Sequence, residues 1–354
     1  MTQPTDSMTA HLATLPPRRA LLVLFVFAFL ACCAASLLLP HDRYIRYQQL
    51  GGTAMAPGVW IYERLHFDPT PIDIAVIGSS RTEIGISAPR MEQVLAAKLG
   101  HPVQVANLSL PQDGRDLHYE LTRELIATHP EVKLILYSLT EHASRTGHPA
   151  FRVVADTGEV LRAPLLVNPE YPNNLAFLPY RQLSLFVQTQ LPALFGVHRA
   201  FARRLYWGSA YDTTRSHWSA NGNWVDRDAV HLQAELAKQV KGKVALRTPV
   251  FLPARLRDYE YAIERDYTRM TVDFAKRHGV QIGFLYLPIY GHRYAIGDEP
   301  FYRTRGFILN AGALAGDHRN YSDYAHFNQI GTARASRWVA GRLADKALSG
   351  GKVR

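Results

Sequence analysis

One apolar run dominates the first part of the chain. From Ala20 to Leu39 it reads ALLVLFVFAFLACCAASLLL, without a charge. At about 1.5 Å of rise per residue, such a run crosses a hydrocarbon core of about 30 Å as a helix. Residues 40–71 are aromatic instead, with Tyr44, Tyr47, Trp60 and Tyr62, and are expected to be a juxtamembrane connector packed onto the next domain. Short apolar runs then alternate with segments of helical period. Ile72–Ile77, Val103–Asn107 and Val132–Ser138 read as buried parallel strands. Between the first two, Ser87-Ala88-Pro89 opens a helix whose apolar face is Met91, Val94, Leu95 and Leu99, and Gly100 closes it. Asp113–Thr128 follows as a second helix, with Leu117, Leu121 and Leu125 at four-residue spacing. Repeated units of this kind imply an α/β fold with a parallel sheet.

The alternation breaks between 146 and about 245, where Pro/Asn-rich loops, a helical stretch over Leu183–Tyr206 and the polar segment Ser216–Trp224 read as a largely helical insertion. It resumes with a helix around Tyr259–His278, a strand over Val280–Leu287 and a terminal helix after Phe327. The expected division is a cytoplasmic N-terminus (1–19), a membrane anchor (20–39), the connector (40–71), two halves of one domain (72–145 and 246–348) around the insertion (146–245), and a tail (349–354).

Charge sets the orientation of the anchor. Arg18 and Arg19 directly precede the run, so the positive-inside rule leaves the N-terminus in the cytoplasm and sends the rest across. A cleaved signal peptide has a shorter apolar core, and the lipoprotein-like Leu30-Ala31-Cys32 lies in mid-run. An uncleaved single-pass anchor in the inner membrane, with the domain in the periplasm or extracytoplasmic space, is therefore expected. Composition adds exclusions. At 47% hydrophobic and 20% charged the chain is globular, and its +10 formal charge is not gathered into a basic, aromatic-interleaved run, which argues against nucleic acid. Cys32 and Cys33 are its two cysteines, so the body has no disulfide framework, thiol nucleophile or cysteine zinc site. The histidines show no metal-ligand spacing; neither metal nor cofactor is assigned.

Two short segments carry candidate chemistry. The first strand runs into Gly78-Ser79-Ser80-Arg81, presenting serine at the carboxyl edge where open α/β sheets bind ligands. Near the end stands Asp323-Tyr324-Ala325-His326-Phe327-Asn328, with Asp three residues before His at the entry to the last helix. A serine hydroxyl needs a base, and the base needs an acceptor to fix its tautomer; this segment supplies both. Alone, each has a plain reading: a polar turn, and an Asp capping a turn beside a surface His.

Together, over roughly 70–145 and 250–345, these segments resemble the SGNH (GDSL-like) hydrolase superfamily. The resemblance implies a flavodoxin-like three-layer sandwich, with Ser80 as nucleophile, His326 as base and Asp323 as its partner. The family block that gives an oxyanion-hole N–H resembles Asn107–Gly114, with its glycine near Gln112 or displaced to Gly114; Asn107 and Gln112 are thus candidates for positioning substrate. After the third strand, Leu139-Thr140-Glu141-His142 replaces the usual Gly-x-Asn-Asp, and Glu141 stands where the oxyanion-hole Asn is expected. Arg81 has two readings, a clamp for a substrate carboxylate or phosphate and a surface pair with Glu83.

An anchored domain with these blocks resembles the proteins of alginate O-acetylation and teichoic-acid D-alanylation. That implies an extracytoplasmic O-acyltransferase, acting through an acyl-Ser80 intermediate on an envelope polysaccharide. The implied partners are a membrane-bound O-acyltransferase, the polysaccharide acceptor and the bilayer around residues 20–39. Two other functions remain open: an esterase removing acyl groups from envelope glycans, and a degenerate scaffold in a polysaccharide-synthesis complex.

Overall fold

The computed structural model describes residues 18–163, 168–218, 224–244, 251–292, 296 and 298–348. The expected tail and nearly all of the expected cytoplasmic segment lie outside them. A helix α1 (Arg18–Ser36) comes first, with mean hydropathy 2.3 over its most apolar window and no buried residue. It is long and apolar enough to cross a bilayer.

The connector is helical, in α2 (Arg43–Gln48) and α3 (Pro57–His66). Asp42 starts α2, its carboxylate accepting from Tyr44 N. Tyr44, Ile45, Tyr47, Trp60, Ile61 and Leu65 are buried against the domain. Buried Arg46 clamps the contact, donating at 2.9 Å to both Val154 O and Asp156 Oδ1.

The domain is built on strands β1 (Ile74–Ile77), β2 (Val105–Asn107) and β3 (Leu134–Leu139), then β6 (Gln281–Tyr286) and β7 (Phe307–Asn310). A small antiparallel hairpin, β4 (His217–Trp218) and β5 (Trp224–Val225), lies between them in sequence, within the polar segment of the insertion. The main sheet is wholly parallel, in the order β2-β1-β3-β6-β7. The chain leaves β1 in one direction along the sheet and returns past it to β3, so the order reverses between β1 and β3. Ligands bind at the carboxyl ends of strands flanking such a point.

Period-2 alternation divides the strand residues between two cores. Ala75, Ile77, Ile135, Tyr137 and Phe284 face one layer, with α6 (Arg115–Thr128) and α12 (Ala262–Arg277). Ile74, Val76, Leu134, Leu136 and Leu285 face the other, with α5 (Ala88–Leu99) and α14 (Gln329–Leu348). Three layers result, helix on sheet on helix.

Three sequence expectations change. The helical stretch placed at Leu183–Tyr206 is α9 (Tyr171–Gln190), followed by a 3-10 turn over Pro192–Phe195. Pro172 fits the first helical turn, whereas Pro192 and left-handed Gly196 forbid continuation. Edge strand β7 has no counterpart in the hydrophobic pattern, because half-buried Phe307 and Ile308 give no clean alternation. Ser87 does precede α5, but its hydroxyl donates to Asp212 Oδ2 at 2.6 Å instead of capping the helix. Further short helices along the described residues are α7 (Phe151–Val154), α8 (Thr157–Arg162), α11 (Arg257–Glu260) and α13 (Glu299–Arg303). A longer one, α10 (Gln233–Val244), follows the hairpin.

Candidate active site

Gly78 ends β1 because nothing larger fits. A Cβ there would lie 2.4 Å from Ser138 Cβ and from Thr82 Oγ1. This close approach lets the chain turn directly into a short helix α4 (Ser80–Gly85), with Ser80 as its first residue. The turn is held from β3, where Ser138 Oγ accepts from Ser79 N at 3.2 Å. As the first helical residue, Ser80 has a backbone N–H with no acceptor within the helix.

From the far end of the chain, the loop before α14 reaches the same edge. Ser80 Oγ lies 2.8 Å from His326 Nε2, and His326 Nδ1 lies 2.7 Å from Asp323 Oδ2. Asp323 Oδ1 also accepts from the backbone N–H groups of Ala325, at 2.7 Å, and His326, at 2.9 Å. A bridge between Tyr321 and Phe327 closes the loop around these residues. Burial pushes the Asp323 carboxyl up, but the His326 bond and charge and the two backbone donors outweigh it and hold it below the ordinary range. An ionised Asp323 is acceptor-only, so Nδ1 carries the imidazole proton and Nε2 is free to accept from Ser80.

The other candidates divide. Arg81 pairs with Glu141, its Nη1 lying 2.7 Å from Oε2 and 2.9 Å from Oε1; the pair with Glu83, one of its two readings from sequence, does not form. The reason is location: Glu83 is buried on the inner side of α4, while Arg81 faces the β3 exit. Glu141 also accepts from Tyr286 Oη at 2.9 Å. Burial raises its carboxyl, yet the Arg81 charge and hydrogen bond leave it below the ordinary value. It is thus an ionised acceptor, unsuited to donating to an oxyanion. Asn107 is spent on the scaffold: its Nδ2 donates to Thr82 O at 2.8 Å and Ile86 O at 2.7 Å, tying down the end of α4.

Gln112 is the one non-glycine residue with positive φ among the described residues, at 73°. Left-handed backbone costs an L-residue roughly 1–2 kcal/mol, and such strain concentrates at ligand-binding turns. The loop carrying it leaves β2 and runs beside the exit of β1, with Leu110 N donating to Gly78 O at 3.0 Å, and His148 Nε2 pins it by donating to Pro111 O at 2.8 Å.

Several contributing residues had no motif to announce them. Tyr286 and Ser138 are strand residues whose polar ends reach the carboxyl edge. Arg227, from the insertion, feels the charges of Glu83 and Asp323, and its carbonyl accepts from Gln329 N at 2.8 Å. Asn328 Nδ2 donates to Ala229 O at 3.1 Å and Thr213 Oγ1 to Glu83 O at 2.8 Å, so the insertion braces both the His326 loop and α4. Burial pushes Glu83 up to about 7, the Arg227 charge opposing.

Comparison with protein-family models and with curated proteins finds no match to this chain. Fold and site alone define the class: a doubly wound parallel α/β domain with a Ser–His–Asp hydrogen-bonded chain at its switch point.

Proposed function

We propose that the protein is an SGNH-type serine acyltransferase, anchored in the inner membrane and acting outside the cytoplasm on the hydroxyl groups of an envelope polysaccharide. The observation that carries the acyl chemistry is the continuous chain from Ser80 Oγ through His326 to Asp323, at 2.8 and 2.7 Å.

In this reading His326 Nε2 takes the Ser80 proton as Oγ attacks the carbonyl carbon of an acyl donor. The carbonyl electrons move onto oxygen, and backbone N–H groups at Ser80 and Gln112 receive that charge. Collapse expels the donor's alcohol or thiol, which takes the proton from His326 and leaves an ester on Ser80. An acceptor hydroxyl then gives its proton to the same nitrogen and attacks the ester. The acyl group passes to the acceptor and Ser80 recovers its proton. Asp323 keeps the imidazole in one tautomer and balances the imidazolium formed twice per cycle. The α1 helix and the bracing insertion favour transfer: they suit a site kept beside a membrane-borne donor, such as one supplied by a membrane-bound O-acyltransferase. Acetyl is the acyl group we favour.

Hydrolysis needs only water in place of the acceptor. The scaffold reading is supported by Glu141, an acceptor standing where an oxyanion donor is expected; against it weighs the ordered pairing of Glu141 with Arg81 and Tyr286. The test compares cells carrying wild type, Ser80→Ala or His326→Ala for ester content of the envelope polysaccharide. Loss of esters in both variants is expected. A gain points to the esterase, and no change to the scaffold.

A further inference from the structure

Helix α9 turns a largely apolar face outward, while its inward side mixes Leu178 and Leu185 with buried polar residues such as Asn174, Gln182 and Gln188. Leu178 and Leu185 are buried against the domain, and its one charged residue, Arg181, points inward, donating to Ala155 O at 2.8 Å. The opposite face carries Leu175, Tyr180 and Leu183, the last two 66% and 53% exposed. Leu191 and the 3-10 turn after it extend that surface, the turn adding Leu194 and Phe195, with Leu194 76% exposed. Asn173 and Gln190 are exposed near the two ends of α9, but between them the exposed residues are Leu175, Ala176, Tyr180 and Leu183, a face that water does not favour.

Two observations say what covers it. The helix that carries the surface lies against α1: buried Gln182 on α9 donates its Nε2 to Leu37 O, one residue past the end of α1, at 3.3 Å. Directly after the apolar turn come exposed Arg199, Arg203 and Arg204, followed by exposed Trp207. Arginine and tryptophan beside an apolar strip match the headgroup layer, where cations meet anionic lipid and indole rings settle.

We infer that the outward face of α9 and the turn Pro192–Phe195 lie in the surface of the same bilayer that α1 enters, with their apolar side chains among acyl chains and Arg199, Arg203 and Arg204 at anionic headgroups. The inference rests on reading α1 as a membrane span, and it gives part of the insertion a lipid-binding task separate from the site at Ser80. The occupant is lipid, not a protein partner.

The test uses the full chain with Cys32→Ala and Cys33→Ala, reconstituted in vesicles of phosphatidylcholine and phosphatidylglycerol with no other protein. Nitroxide labels go singly on Phe25→Cys, Leu183→Cys, Leu194→Cys and, as a water-facing reference, Phe251→Cys, which is 70% exposed. Depth is read from oxygen against nickel-chelate accessibility. Labels at 183 and 194 are expected about 5–10 Å below the phosphates, the depth of an interfacial helix. If both match the label at 251, the inference fails, and the face is left for a protein. The label at 25 judges the span separately: at mid-bilayer it upholds α1 whatever 183 and 194 report, and in water it removes α1. Arg199→Glu, Arg203→Glu and Arg204→Glu together should lift the 194 label toward water; unchanged depth would overturn the headgroup assignment.

Discussion

Replacing Asp323 by Asn tests the triad most directly, because the two oxygens of Asp323 do separate jobs. Oδ1 accepts from two backbone N–H groups and Oδ2 from His326 Nδ1. Asn keeps an oxygen for the backbone bonds and turns an NH₂ toward Nδ1. That group donates, so Nδ1 must become the acceptor and the proton moves to Nε2, where it blocks removal of the Ser80 proton. The expected loss in acylation rate is about 10³–10⁴, or about 4–5.5 kcal/mol of barrier. Stability should fall far less, by about 1 kcal/mol, since only charge assistance is lost at a partly exposed carboxylate. Asp323→Ala removes the backbone bonds as well and should lose stability and rate together. The assay is the pre-steady-state burst with p-nitrophenyl acetate on full-length protein in detergent, with acyl-Ser80 followed by mass spectrometry and the fold by thermal melting. An Asn variant that keeps more than about a tenth of the burst rate would refute the tautomer argument, since that loss falls far short of the expected one.

Glu83 is held near 7 against an ordinary 4.5, so the folded state binds its proton more tightly than the unfolded chain. The stability this gives is full below about pH 4.5 and is lost as pH rises through about 7. Glu83→Gln should match wild type in urea melts at pH 4.5 and exceed it at pH 8 by up to about 3 kcal/mol; a pH-independent difference would contradict the burial argument. Gly78→Ala drives a methyl into Ser138 and Thr82 and should cost about 1–3 kcal/mol in denaturant melts. It should also reduce the acylation burst by shifting Ser80 from His326. Gln112→Gly exchanges roughly 1–2 kcal/mol of left-handed strain for about 0.5–1 kcal/mol of chain entropy and should leave stability equal or slightly higher. Gln112→Val should lower it, and equal melting of the two variants would remove the case for strain.

Strands, helices and the serine–histidine pairing were legible where the signal is local or where two segments sit at predictable places on a parallel sheet. β1 to β3 fall within two residues of their apolar runs, and α5 ends at Gly100, whose φ of 77° marks the stop. Ser80 and Asp323–His326 could be matched because both flank elements meeting at one edge. Partners set by packing could not be read. Arg81 chooses Glu141 over Glu83 because α4 turns one outward and the other inward, a fact of helix rotation against the sheet. Asn107 reads as a substrate contact in a motif but is drawn to the carbonyls ending α4. Arg227 feels the Asp323 charge from the segment after β5, which has no sequence relation to the site. The insertion's helix was misplaced because helical period runs through Pro192, whereas the backbone cannot.

The short link from α1 to α2 decides how far the protein can search. Only residues 37–42 separate α1 from α2. Even fully extended they span roughly 20–22 Å. They are not free to extend: Leu37 O accepts from Gln182 Nε2, and Asp42 N donates to Thr189 Oγ1 at 3.0 Å. A flexible tether would spread the serine through a hemisphere and dilute it steeply with length. A fixed mount, on the proposed reading of α1, confines the serine to one altitude and leaves it two-dimensional diffusion. Encounter with a donor in the same membrane then depends on surface density, while a polymer in the surrounding space must itself come down to that altitude to be modified.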